Sequence, residues 1–344
     1  MKPIGNSQGV HLDITNVCHL KCINCTRFIA HLRKDQRQSM TLEQIEAGFD
    51  SLEGWHEHMP LSPVTNKPPW IGIMGGEPTM HPQFEEFCAI VKRRYPKRRT
   101  FGEAGAVGFW STGNTPQFIK HEKLIRETFG FIILNPHDDN QQETCEHQPI
   151  SVAIDEVVDD LEMREFLISH CWVQRQWCPT VNHFGAYFCE VAAAYDALTN
   201  SGKNAWPVEK DWWKRIPGVD GKYGIQSDAC NKCSMPVPMN RDRLKTLTTK
   251  ISPNLLKTFR ELGLKAVEPD KVEVFTGKIS NEFIVEKYKR WYPGNYHGDF
   301  FPDETVLPDT DLGIHPEDHQ ELVRIAKKLP KIVDGKVDVK DTEW

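Results

Sequence analysis

The chain has 344 residues, 42 Lys and Arg against 48 Asp and Glu, a formal net charge of −6, and ten cysteines. That length suggests about two domains and gives ample chain to bury a core without disulfide staples. No apolar run is long enough to span a membrane, Met1 to Asn6 lack the apolar stretch of a secretory signal, and the acid excess argues against a nucleic-acid binder. The expected location is the cytoplasm, where thiols stay reduced and cysteines serve metals or catalysis.

Val10, Leu12 and Ile14 alternate with His11, Asp13 and Thr15 and predict a half-buried strand. Cys18, Cys22 and Cys25 follow at its C-terminal end, spaced C-x3-C-x2-C. Three thiolates can hold one face of an iron–sulfur cube and leave one iron open to a substrate or cofactor. A zinc ion that borrows His19 or His31 as fourth ligand is the other reading of the same residues. Thr41 followed by Gln44 predicts a helix-opening capping box. Trp70 to Met74 predicts a buried strand that ends in Gly75-Gly76-Glu77-Pro78.

Pro82 to Tyr95 predicts a helix with Phe84, Phe87, Cys88 and Val91 inward, so Cys88 is assigned to the core. Its basic end, Lys92 to Arg99, suits a solvated helix C-terminus. A strand at Val107 to Trp110 ends in Ser111-Thr112-Gly113-Asn114, a helix covers Ile119 to Phe129, and a strand at Phe131 to Leu134 ends in Asn135-Pro136-His137-Asp138-Asp139. A fifth strand is expected over Ser151 to Asp155, a helix over Asp159 to Cys171, and a sixth strand near Trp172 to Trp177. Cys178 and Cys189 then bracket a hairpin whose turn is Asn182 to Gly185, a helix follows over Val191 to Leu198, and Cys230-Asn231-Lys232-Cys233 supplies a C-x2-C knuckle. Those four cysteines can complete a second cluster, or hold zinc. Beyond Cys233 come an extended linker, a helix from Ser252 and Pro253 to Leu262 with Gly263 as its stop, a strand at Lys271 to Phe275, an irregular aromatic stretch at Trp291 to Phe301, and a last helix over His315 to Leu329.

The cysteine triad after the first strand and Gly75-Gly76-Glu77-Pro78 after the second, in that order, resemble the radical S-adenosylmethionine (radical SAM) superfamily. The residue before the third cysteine, usually aromatic in that family, is Asn24. The resemblance implies an α/β fold: a partial (β/α)6 TIM-like barrel at residues 1–177, a small twitch or SPASM-like auxiliary-cluster domain at 178–240, and an α+β extension at 241–344. It implies a [4Fe–4S] cluster with an open iron on Cys18, Cys22 and Cys25, and S-adenosylmethionine held by Gly75, Gly76, Glu77, Pro78, Ser111, Thr112, Asn114 and Asn135. One auxiliary [4Fe–4S] cluster is implied on Cys178, Cys189, Cys230 and Cys233. The implied activity is hydrogen abstraction from a small, carbohydrate-like or aminocyclitol-like substrate, with dehydrogenation favoured because the auxiliary cluster accepts an electron; a flavodoxin- or ferredoxin-type reductant is the implied partner. An epimerase or peptide-modifying enzyme is the alternative within the family, with Cys145 or Cys171 as hydrogen donor; a zinc-stabilised binding module is the alternative outside it. Base candidates are His137, Asp138, Asp155 and Arg175, and His137 with Cys145 are the named catalytic expectations.

Overall fold

The computed structural model describes residues 4–22, 24–58, 61, 67–134, 149–171, 173–174, 179–219, 221–238, 249–264, 272–288, 316–327, 331–333 and 336–338. Its centre is a mixed α/β layer built on a six-stranded, mostly parallel sheet. Strand β1 (Gly9–Thr15), helix α1 (Leu42–Ser51), strand β2 (Trp70–Gly75), helix α2 (Phe84–Arg94), strand β3 (Val107–Ser111), helix α3 (Pro116–Thr128) and strand β4 (Phe131–Leu134) alternate along the chain. Parallel pairing of successive strands through a helix is what this alternation dictates. The hairpin β5 (Thr180–Asn182) and β6 (Gly185–Tyr187) completes the sheet on the far side of β1, giving the order β4-β3-β2-β1-β5-β6. β5 runs parallel to β1 and β6 antiparallel to β5. The hairpin expected to open a separate unit thus extends the main sheet.

β1 is buried along its whole length, not along one face only. Val10, Leu12 and Ile14 join the large apolar core, and α1 comes so close that a Cβ at Gly48 would lie 2.7 Å from Leu12 Cδ1. The opposite face of the sheet carries a smaller cluster of Trp70, Ala106 and Trp110. There the Trp70 and Trp110 rings stack with centroids 4.9 Å apart, and His11 stacks on Trp70 at 5.6 Å. The polar alternation of β1 therefore faces a covered interior, where each polar group must find a partner.

Local signals decide the helix starts. Thr41 Oγ1 accepts from the Gln44 backbone N–H at 3.2 Å while Gln44 Oε1 accepts from the Thr41 N–H at 2.9 Å, the reciprocal box expected at α1. The basic end of α2 is not merely solvated: Arg93 and Arg94 pair with Glu46, and Arg94 also with Asp50, all on α1.

The strand expected over Ser151 to Asp155 is reduced to one bridge between Ser151 and Ile251, and Ile154–Val157 forms a helical turn. Buried Ile154, Val157 and Val158 recur at i, i+3 and i+4, a helical period that the short apolar run conceals. Glu156 is the physical reason for the segment's placement. Its carboxylate accepts from Ser252 Oγ at 2.6 Å and from the Asn254 N–H at 2.9 Å, capping the helix Pro253–Glu261. The sixth strand near Trp172 to Trp177 falls largely outside the described residues. Among the described residues no helix is long and apolar enough to cross a membrane.

Candidate functional site

Parallel strands place their C-terminal ends on one edge of the sheet, where loops gather to form sites. The loop after β1 carries Cys18, Cys22 and Cys25, and the turn after β2 carries Gly75, Gly76 and Glu77. The two are laced together beyond the sheet: the Gly76 N–H donates to Thr15 O at 2.7 Å and the Glu77 N–H to Val17 O at 2.8 Å. Only glycine permits this approach. Gly75 has φ +135°, a Cβ on it would lie 2.1 Å from Thr15 O, and a Cβ on Gly76 would lie 2.3 Å from Val17 O. Gly76→Ala is therefore expected to cost about 2 kcal/mol or more, by forcing backbone apart rather than a flexible side chain; the chemical-denaturation midpoint checks it.

The three thiols are half-buried neighbours. Burial pushes the Cys18 thiol up to about 12, with Cys25, Cys22 and Glu77 adding to the rise against the Leu20 N–H. Burial and the nearby Cys22 raise Cys25 to about 11, opposed by the Ile29 and Arg27 backbone N–H groups and the Arg27 guanidinium. With folded values above the ordinary 9.0, the metal-free protein keeps this contribution to stability below about pH 9 and loses it as pH rises through 11 to 12. Thermal melts of metal-free chain across that range check the sign. His31, a proposed fourth zinc ligand, instead packs against Phe28 and Phe259, and burial lowers it to about 4; His19 is exposed.

Glu77 is fully buried. Its Oε1 accepts from Thr79 Oγ1 at 2.7 Å and from Ser111 Oγ at 2.9 Å, and its Oε2 from the Thr112 N–H at 3.1 Å and Thr112 Oγ1 at 3.3 Å. The carboxylate thus clamps the end of β2 to the end of β3, and the turn's backbone is left to meet a ligand. Ser111 and Thr112 are brought to this clamp, buried Pro78 opens the turn of helix that follows it, and Asn114 sits half-buried nearby in sequence. Asn135, His137, Asp138 and Cys145 lie outside the described residues, as do Arg175 and Cys178. Asp155 forms an ion pair with Lys232.

Sequence reasoning missed a buried charged cluster beside this edge. Arg27 grips Asp13 with two nitrogens, Nη2 at 3.3 Å and Nε at 3.4 Å, and places Nη2 2.8 Å from Glu190 Oε2. His11 Nδ1 lies 3.0 Å from the same Glu190 oxygen. Burial alone would raise the Glu190 carboxyl, but the Arg27 and His11 partners hold it down at about 2. Asp13, Arg27 and Glu190 line a narrow cleft that also touches Thr15, Gly75 and His183. The available signal is positional: His11 and Asp13 occupy the polar alternation of β1, and Arg27 and Glu190 each sit within two residues of a cysteine.

A second, mostly apolar thiol chamber is lined by Cys171, Cys189, Cys230 and Cys233 with Phe188 and Met235 among its walls, and the Gln174 side-chain amide donates to Cys230 Sγ at 3.9 Å. Burial drives Cys230 and Cys233 well above the ordinary thiol range, and Cys189 and Cys171 are close enough to push both further. Cys171, read from sequence as a candidate hydrogen donor, therefore keeps company with the second cysteine set. Cys88 is buried in the core, as expected. Among the described residues no group of three or more His, Cys, Asp or Glu is drawn together tightly enough to hold a single metal ion, and the cysteines of both sets are free thiols.

No protein-family profile matches the chain, and no curated protein matches it. Among solved structures it is similar to BtrN in an open conformation, at 11% identity and TM-score 0.36, covering 66% of this chain and 86% of that one. It is also similar to BtrN in complex with AdoMet and 2-DOIA, at 10% identity and TM-score 0.37, covering 66% of this chain and 87% of that one.

Proposed function

We propose that this chain is a radical SAM enzyme that oxidises a small, polar, sugar-like or aminocyclitol-like substrate. The observation that carries the reading is the lacing of the Gly75-Gly76-Glu77 turn onto the cysteine loop through two backbone hydrogen bonds that glycine alone allows. The donor chemistry fits the implied group: three half-buried thiols on one short loop suit an iron–sulfur cluster with an open iron. Such a cluster, with S-adenosylmethionine, would supply the one-electron reductive chemistry that hydrogen abstraction needs.

Cys18, Cys22 and Cys25 would hold the cluster, and the backbone of Gly75 and Gly76 would receive the ammonium of the methionyl group. Carbonyl oxygens are the acceptors such a cation needs, and glycine lets it approach. Glu77 acts through its clamp on Ser111 and Thr112, which keeps the ends of β2 and β3 at fixed separation. The buried charges of Asp13, Arg27 and Glu190 would orient a polar substrate in the cleft.

Cys171, Cys189, Cys230 and Cys233, which line one chamber, would hold the auxiliary cluster; Cys178, the fourth ligand that sequence spacing suggests, lies outside the described residues, and iron assays on the two single variants choose between them. Four thiols around a mostly apolar chamber match the donor count of a fully ligated [4Fe–4S] group, which would supply a one-electron acceptor with no iron open to substrate. A flavodoxin- or ferredoxin-type protein supplies the reducing electron. Anaerobic incubation with S-adenosylmethionine, dithionite and a panel of polyols and aminocyclitols tests the reading. A product lighter by H2 supports it; a product at unchanged oxidation level that has gained one deuterium from D2O makes the enzyme an epimerase instead.

A further inference from the structure

The two thiol neighbourhoods are far apart in sequence, yet the residues beside them touch. Arg27 follows Cys25 by two positions and Glu190 directly follows Cys189. Their side chains meet at 2.8 Å, with only 11% and 2% of their surfaces exposed. Each is held by more than the other. Asp13 of β1 takes the guanidinium in a two-nitrogen grip, Thr26 Oγ1 accepts from Arg27 Nη1 at 2.9 Å, and His11 reaches Glu190 from the same strand. Glu190 is also the first residue of the helix Glu190–Asn200, so its carboxylate sits where a helix favours negative charge.

We propose that the Arg27–Glu190 ion pair is a positioning bridge that locks the Cys25 segment to the Cys189 segment and sets the separation of the two thiol neighbourhoods. Both residues also line the narrow cleft beside Gly75. Whatever occupies the cleft therefore rests on a charged floor shared by both cysteine segments. Tightly paired buried charges suit such a bridge, because removing one partner leaves the other buried with only part of its charge compensated, by Asp13 for Arg27 and by His11 for Glu190. The purpose of the bridge rests on the functional reading above, but its contacts and its test need neither iron nor S-adenosylmethionine.

Hydrogen exchange read by mass spectrometry on the full chain tests the bridge from both sides. Arg27→Ala is expected to speed exchange roughly a hundredfold in the first turns of the Glu190–Asn200 helix, across the bridge from the substitution. Glu190→Gln is expected to speed exchange at Phe28–His31 in the same sense. Arg27→Lys, which keeps the charge but not the fork, should fall between wild type and Arg27→Ala. The helix Phe84–Arg94 serves as the folding control and should exchange as in wild type. An effect confined to the segment that carries the substitution overturns the proposal. Should Arg27→Ala also open the control helix, Glu190→Gln, which preserves size and hydrogen-bonding capacity, decides by the same two outcomes.

Discussion

Replacing Cys171 with serine is expected to lower reconstituted iron from about eight to about four atoms per chain, while Cys178→Ser leaves it unchanged. The expectation rests on the chamber. Cys171, Cys189, Cys230 and Cys233 share one set of walls, and the burial that raises Cys230 and Cys233 is reinforced by the sulfurs of Cys189 and Cys171. Four thiols are the full complement of a closed [4Fe–4S] cluster, so a fifth has no vacant corner to fill. Iron and sulfide assays on the two variants measure this directly. Loss of iron in Cys178→Ser, with full loading in Cys171→Ser, would return the assignment to the set that sequence spacing suggests. The Cys171→Ser protein should still cleave S-adenosylmethionine, because its substitution leaves Cys18, Cys22 and Cys25 intact.

Glu77→Ala should have the largest effect on stability, about 3–5 kcal/mol, because it strips an acceptor from a fully enclosed group of donors. The Thr112 backbone N–H and the hydroxyls of Thr79, Ser111 and Thr112 would all lose the oxygens they share. Thr79→Ala removes a single donor and should cost about 1 kcal/mol. Denaturant unfolding of the two variants gives the comparison. If Glu77→Ala were as stable as wild type, the carboxylate would not be the clamp between β2 and β3.

The parts of the site that are legible in the sequence are those written in local spacing. C-x3-C-x2-C and Gly75-Gly76-Glu77-Pro78 follow apolar runs that form β1 and β2, so their positions at strand ends follow from periodicity. Asn182 to Gly185 marks the hairpin turn for a similar reason: Asn182 Oδ1 accepts from the Phe184 N–H at 2.9 Å, and Gly185 has φ +148°. The parts that stay hidden depend on contacts across the chain. Cys171 closes a helix with no motif around it, and nothing local says that it reaches Cys230. Cys178, the nearer partner for Cys189 along the chain, lies outside the described residues. Arg27 and Glu190 are hidden likewise, since each alone resembles an ordinary surface charge and only their burial together identifies them. The half-buried reading of β1 fails because alternation reports which face is apolar, not whether the polar face is covered.

Radical chemistry at the Cys18, Cys22 and Cys25 loop is decided by anaerobic reconstitution of the full chain with iron and sulfide, followed by S-adenosylmethionine and dithionite. The expected result is a brown protein that releases 5′-deoxyadenosine and methionine, and a Cys25→Ala variant that does not. A colourless protein that binds zinc and leaves S-adenosylmethionine intact would contradict it.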